Sequence, residues 1–350
     1  MTSWEFKALS LKDGTPILVD LSKEQRTRAR QYTRALERAA ASRMAKPRFS
    51  GYHVRAAIGP IKSKFYPAGN LEYGDRQSLH AEEAAVVVYR ERMGDRQNHH
   101  PIILGLIAGT PGNPATPCGN CRDLLLDVFC PELEIVTGAA EGGIAIVATL
   151  GQYLFNTPVA LKQSDLEDGL ISIVRYLADT SIENDPYSSA ESLATTPHYR
   201  ALLTVTVRPW GYPETTRART ASVGGIDLGC EYHPIYPLRD AIRGLERRPV
   251  DHMKLKDVII VMEGDDASPP HVPYRDRQHL YEMHFRQEIM HEYTADPPIF
   301  LFRVAEDGKI RWAWETTVKQ WFPLPFSPKN FGADFVEGYA AYYERRKLKK

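Results

Sequence analysis

Apolar residues in this chain gather in short blocks separated by Pro- and Gly-containing stretches, and segments of helical character lie between the blocks. Tyr52-His53-Val54-Arg55-Ala56-Ala57-Ile58 reads as a strand, followed by a turn-rich connection through Pro60, Pro67 and Gly69. Ile102-Ile103-Leu104-Gly105-Leu106-Ile107-Ala108 is a continuous apolar run, the pattern of a strand covered on both faces. Leu133–Val136 and Ile144–Val147 predict further strands, and residues 1–21 predict a strand-bearing lead-in. Residues 24–44, rich in Ala and Arg and free of Gly and Pro, predict one helix with Ser22 as its N-cap and Pro47 as its stop. A second helix carries His80 and Glu82 through Tyr89, and a third runs over Cys121–Phe129. Strands alternating with helices place this half in the α/β class, with helices packed on a central sheet.

Composition narrows the picture. A chain of 350 residues predicts two domains of roughly 150–175 residues. Lys+Arg and Asp+Glu both number 44, so no net field draws the chain to nucleic acid. No apolar run approaches a membrane span, and the first residues lack the apolar core of a signal peptide, which predicts a cytoplasmic protein with no membrane partner. Of the four cysteines, Cys118 and Cys121 form a C-x-x-C pair. Cys130 and Cys230 are left over, which suits a reducing compartment rather than a disulfide framework.

The chemistry concentrates between His80 and Cys121. His80-Ala81-Glu82-Glu83 is followed by Pro117-Cys118-Gly119-Asn120-Cys121-Arg122-Asp123. One imidazole and two thiolates are suitable ligands for Zn²⁺, leaving a fourth tetrahedral position for water. Glu82, two residues after the histidine, can reach that water without ligating the metal. H-x-E followed by P-C-x-x-C is the signature of zinc-dependent nucleobase deaminases, in which the Glu serves as general acid and base. The plain alternative is a structural zinc, but such a site closes with four protein ligands, and no fourth Cys or His sits at suitable spacing. Glu83 lies about 100° further round a helix, which points it to solvent or a neighbour.

These residues resemble the cytidine deaminase family over about residues 25–158. Gly69-Asn70-Leu71-Glu72 is similar to that family's Asn-x-Glu element, so the resemblance implies that Asn70 and Glu72 bind ribose hydroxyls. Tyr52 stands where the resemblance implies an aromatic of the pyrimidine pocket. The sequence departs from the family pattern at Arg55, Tyr73 and Asp123, and a charge at Arg55 facing the site would suit a decorated or phosphorylated substrate.

The second half reads as a worn copy of the first. A shift of 153 residues places Pro270-His271-Val272-Pro273-Tyr274-Arg275-Asp276 on Pro117–Asp123, His233 on His80 and Ile235 on Glu82. His233 precedes His271 by 38 residues, as His80 precedes Cys118. The same shift places Val258–Val261 on the apolar strand and Val207-Arg208 on Val54-Arg55. With Glu82 replaced and both cysteines lost, this copy is expected to be non-catalytic. Trp321-Phe322-Pro323-Leu324-Pro325-Phe326-Ser327-Pro328 resembles the family's closing tail, and a linker lies around residues 156–168. The expectation is therefore two three-layer α/β/α domains, each a mixed sheet flanked by helices: residues 1–158 with one zinc, and a degenerate domain over 165–350. The resemblance further implies a homodimer acting on a small nucleoside, by zinc-dependent hydrolytic deamination of cytidine or a close analogue. A modified pyrimidine nucleoside or nucleotide is the alternative substrate, and a non-catalytic binding protein the alternative class.

Overall fold

The apolar run at Ile102–Ile107 becomes an interior strand of a mixed sheet in the computed structural model, and every residue in it is buried. The structure describes residues 3–12, 15–61, 63–73, 78–93, 102–154, 159–179, 199–209, 217–222, 238, 242, 250–267, 269–270, 272, 274–289, 296–324 and 337. The chain divides into two compact units, one of residues 1–155 with 322–349 and one of residues 156–321. Phe322–Leu324 fall with the first unit, where the Leu324 carbonyl accepts hydrogen bonds from Thr116 and Arg122.

In the first unit β1 (Trp4–Lys12) and β2 (Thr15–Asp20) form a hairpin. The Ser22 side chain accepts from the Gln25 N–H, and the Gln25 side chain accepts from the Ser22 N–H. This reciprocal cap starts α1 (Lys23–Thr27). The single expected helix is in fact two, because Arg28 (φ −97°, ψ −1°) interrupts it before α2 (Ala29–Ala40). Tyr32, Ala35, Leu36 and Ala39 on α2 are all buried, one stripe at helical spacing.

The chain continues through β3 (Arg55–Pro60), β4 (Tyr66–Gly69), β5 (Leu71–Glu72), β6 (Ser78–Leu79), α3 (Ala81–Met93) and β7 (Ile102–Ile107). Then come β8 (Gly109–Thr110), β9 (Asn113–Pro114), α4 (Gly119–Val128), β10 (Glu134–Gly138), β11 (Gly143–Thr149) and α5 (Leu150–Leu154). The sheet order is β2-β1-β11-β10-β7-β3-β4, with β7 parallel to β10 and antiparallel to β3. Ala57, Ile103, Ile107 and Val136 pack on the α2 stripe, while Ala56, Ile58, Leu104 and Leu106 pack with Ala85, Tyr89 and Leu125 of α3 and α4. Alternating residues of each strand thus feed two cores. Gly105 lets α2 press onto β7, since a Cβ there would meet the Ala35 backbone at 2.8 Å.

The second unit contains β12 (Val159–Ala160), α6 (Asp168–Asp179), β13 (Tyr199–Pro209), β14 (Arg217–Ser222) and β15 (Val250–Glu263). It continues with α7 (Tyr274–Ile289), β16 (Pro298–Val304), β17 (Ile310–Thr317) and α8 (Val318–Trp321). Its sheet runs β12-β17-β16-β15-β13-β14, with β15 parallel to β16 and antiparallel to β13. The succession β11-β10-β7-β3-β4 of the first sheet therefore recurs as β17-β16-β15-β13-β14. Both units are α/β with a mixed central sheet, and the repeat is a repeat of topology.

Its register is not the uniform 153 expected. Ile107 ends its strand against Gly138 as Glu263 does against Val304, an equivalence of 156 residues. Arg122 donates through Nε to Pro117 O, and Arg277 donates identically to Val272 O, an equivalence of 155. Arg277, not Arg275, is thus the counterpart of Arg122. Val207 pairs with Met253, well back from the strand end, so it does not correspond to Val54. Insertions between elements shift the offset along the chain, and a single shift cannot follow them. His233, Ile235 and His271 lie outside the described residues.

His284 on α7 has no exposed surface, and neither ring nitrogen has a hydrogen-bond partner among the described residues. Its nearest described acid is Glu288, 3.6 Å from Nε2. The residue 155 positions earlier is Phe129, also buried. Burial lowers the His284 pKa, against the opposing pull of Glu288 and Asp296. The unfolded chain therefore binds the proton more readily, and stability is lost as pH falls below about 6.5. His284→Phe should abolish that loss. Melts from pH 8 to pH 5 should show variant and wild type diverging below about pH 6.5, by at most about 1.4 kcal/mol per pH unit. Parallel curves would show that the imidazole is not the titrating group.

Candidate functional site

Two helix starts build the site. His80 immediately precedes α3; its carbonyl accepts from the Ala84 N–H at 3.0 Å and its N–H donates to Glu83 Oε2 at 2.7 Å. Glu83 therefore folds back to cap the helix rather than turning to solvent, as an acid three residues after a cap position can. Cys118 is the N-cap of α4, and its carbonyl accepts from the Arg122 N–H. Cys121 lies one turn on and hence on the same face.

These starts bring His80 Nδ1 to 3.2 Å from Cys118 Sγ and 3.3 Å from Cys121 Sγ, with all three ligand atoms within 4.8 Å of one another. Tetrahedral Zn²⁺, with Zn–S about 2.3 Å and Zn–N about 2.0 Å, separates nitrogen from sulfur by about 3.5 Å. The two nitrogen–sulfur distances fit that ion to within a few tenths of an ångström. Its electrostatics ask for a cation. The hydrogen bond from Cys121 holds the Cys118 thiol well below its ordinary value, while burial pushes Cys121 well above. Two buried sulfurs this close resist carrying two negative charges unless a cation shares them. The hydrogen bond with Cys118 lifts His80 to about 9.

Glu82 is 5% exposed, and burial together with the Cys118 charge raises its carboxyl to about 7, against the opposing pull of His80. His80, Glu82 and Cys118 line a cavity of about 220 Å³, joined by Tyr52, Asn70 and Glu72 on its walls. Cys121, fully buried, is the one predicted site residue outside the lining.

Each wall residue is held by short-range bonds. Asn70 accepts from the Val54 N–H at 3.0 Å and donates to Tyr52 O at 2.9 Å. Glu72 accepts from the backbone N–H groups of Phe49 (2.6 Å) and Ser50 (2.9 Å) and from the Ser50 hydroxyl. These bonds, the Ser50 hydroxyl first, hold the Glu72 carboxyl below the usual range. The Asn-x-Glu element thus ties residues 49–54 to β5 as well as facing the cavity. Burial raises the Tyr52 phenol, the charge of Glu82 adds to that rise, and a hydrogen bond with the Gly109 backbone opposes it.

Arg55 corrects the expectation of a charge beside the substrate. Val54 lines the cavity, Ala56 and Ile58 pack toward α3, and Ala57 packs toward α2. Strand alternation therefore turns Arg55 to the α2 side, away from the cavity. Asp123 is not in the lining either. Sequence reasoning missed Thr116 on the cavity wall. It also missed Arg122 as a fully buried side chain bonded to three carbonyls. The Glu83 cap was readable, as an acid three places after a helix-starting residue.

Part of the chain is similar to solved cytidine deaminases. The cytidine deaminase of Burkholderia pseudomallei aligns at 24% identity and a TM-score of 0.30, over 34% of this chain and 93% of that one. That of Mycobacterium leprae aligns at 24% and 0.28, over 35% of this chain and 96% of the other. That of Mycobacterium tuberculosis aligns at 22% and 0.26, over 38% and 95%. At these TM-scores the overlaps carry no weight of their own, and the reading of this cytidine-deaminase-like unit rests on its residues. No family model matches the sequence, and no curated protein matches it. Among the described residues no helix is long and apolar enough to cross a membrane.

Glu83→Ala should remove the α3 cap and destabilise the protein by about 1 kcal/mol, lowering Tm by about 2–4 °C. Glu83→Gln keeps an acceptor oxygen and should recover most of that loss. Equal melting of all three proteins in calorimetry would show that the bond to His80 contributes nothing.

Proposed function

We propose that the first unit hydrolytically deaminates cytidine or a cytidine-like free nucleoside, giving the uridine-type product and ammonia. The observation that carries this reading is the convergence of His80 Nδ1 and the Cys118 and Cys121 sulfurs beside buried Glu82 at one cavity. His80, Cys118 and Cys121 would hold one Zn²⁺ per chain, three protein ligands being the catalytic rather than the structural pattern. When bound, zinc supplies Lewis acidity, bringing the pKa of a ligated water near 7.

The protein's own part is proton handling and orientation. Glu82 is buried and lines the cavity beside His80 and Cys118, within reach of a water at the metal corner. It can take a proton from the attacking water and pass it to the ring nitrogen of the base, then take the remaining proton of the new hydroxyl at the attacked carbon and pass it to the amino group, which leaves as ammonia. Asn70 and Glu72 face the same cavity with hydrogen-bonding groups suited to sugar hydroxyls, and Tyr52 presents a ring to the base. A phosphorylated substrate loses its support with Arg55 on the far side of the sheet. A polynucleotide lacks an electrostatic footprint in a chain with equal acidic and basic counts. A homodimer belongs to the same reading and rests on the family resemblance alone.

The test is ammonia release from cytidine, deoxycytidine, their monophosphates and adenosine, run beside a metal count. Cytidine or deoxycytidine should be turned over by protein holding one zinc per chain. Glu82→Gln should keep the zinc and lose about 10²–10⁴-fold in kcat. Substantial turnover by that variant, or no ammonia from either pyrimidine nucleoside, would overturn the assignment.

A further inference from the structure

The loop that delivers Cys118 is held from an unexpected place. Arg122 is fully buried, and its guanidinium bonds three carbonyls: Nε to Pro117 O at 2.9 Å, Nη1 to Tyr153 O at 3.1 Å, and Nη2 to Leu324 O at 2.7 Å. The Phe322 ring lies 4.1 Å from the guanidinium carbon and the Tyr153 ring 5.2 Å. Leu324 O accepts a second bond, from the Thr116 hydroxyl at 2.5 Å. Thr116 and Pro117, the two residues before Cys118, are thus both tied into a bond network whose far end is Phe322–Leu324.

Leu324 itself is held in an unusual state. It is the one described non-glycine residue with positive φ, at 45°, a region that a leucine enters only when its surroundings over-determine it. Its carbonyl supplies the acceptor for both donors, and its side chain packs on the core cluster that includes Ala81, Leu106 and Leu125. Loss of a group that orients a metal's ligands typically costs about 10–100-fold in affinity. Here such a group is supplied 202 residues downstream of Arg122.

The second unit offers an internal control. Arg277 makes the same Nε bond, to Val272 O, and stacks on Tyr274 at 4.3 Å and Trp321 at 4.8 Å. That helix start carries Tyr274 and no cysteine. A buried arginine closing this loop is therefore a feature of the fold. What concerns the metal corner is the pair of bonds that Leu324 receives from Thr116 and Arg122.

We propose that Phe322–Leu324 is a positioning strap for the Cys118 corner, so that a late segment of the chain sets how firmly the site retains zinc. The proposal rests on the reading of His80, Cys118 and Cys121 as zinc ligands. Phe322 and Leu324 act through Arg122 and Thr116 and are positioning residues, not catalytic ones.

The test measures zinc release from the full-length protein to a colorimetric chelator, together with the reaction rate of the Cys118 and Cys121 thiols with an aromatic disulfide. Thr116→Val and Phe322→Leu should each speed zinc release and thiol reaction by about tenfold or more. Thr116→Ser, which keeps the donor, should stay near wild type. Trp321→Leu loosens the equivalent stack in the second unit and should leave both rates unchanged even where it lowers Tm. Wild-type rates for Thr116→Val and Phe322→Leu, or equal acceleration by Trp321→Leu, would overturn the strap. If Phe322→Leu does not fold, the Thr116 pair decides. Wild-type protein that carries no zinc would sink the metal reading, and the thiol rates alone would then decide the strap.

Discussion

Everything in the first unit depends on placing two sulfurs and an imidazole close together where water cannot screen them. Unaided, such a cluster is unfavourable: Cys121 is pushed toward its neutral form by burial, and Glu82 is held up by burial and the Cys118 charge. The fold tolerates the arrangement because two helices begin there. The α4 start places Cys118 and Cys121 one turn apart, and the Glu83 cap fixes the backbone of His80. A divalent cation turns the unfavourable cluster into a bonded one.

Much of this was legible beforehand, because the ligands belong to local patterns. C-x-x-C at a helix start and H-x-E at another each confine their residues to one turn. The apolar run at 102–107 likewise announced a buried strand. What local pattern could not supply was which face a residue takes or which distant segment it meets. Whether Arg55 faces the site is not readable from spacing; Val54 lines the cavity and Ala57 packs toward α2, so alternation turns Arg55 away from it. The break at Arg28 hides in a run of good helix formers, where nothing but backbone angles reveals it. Asn70 and Glu72 lie on the cavity as expected, yet their side chains also bond the backbone of residues 49–54, which spacing alone does not disclose.

The second unit keeps the architecture of the first without its C-x-x-C pair. Strand order, parallel and antiparallel neighbours and a buried arginine at the helix start all persist, because they serve packing and backbone hydrogen bonding. The cysteine positions do not, since thiolates contribute to the core only when a metal shares them. Divergence of this kind also explains why one constant offset tracked the repeat imperfectly: elements keep their internal spacing while their connections change length.

Zinc K-edge X-ray absorption of the full-length protein as purified tests the central claim most directly. One zinc per chain, with two sulfurs at about 2.3 Å and nitrogen or oxygen at about 2.0–2.1 Å filling a four-coordinate shell, is the predicted result. Protein without zinc, or a shell lacking the pair of sulfurs, would contradict it.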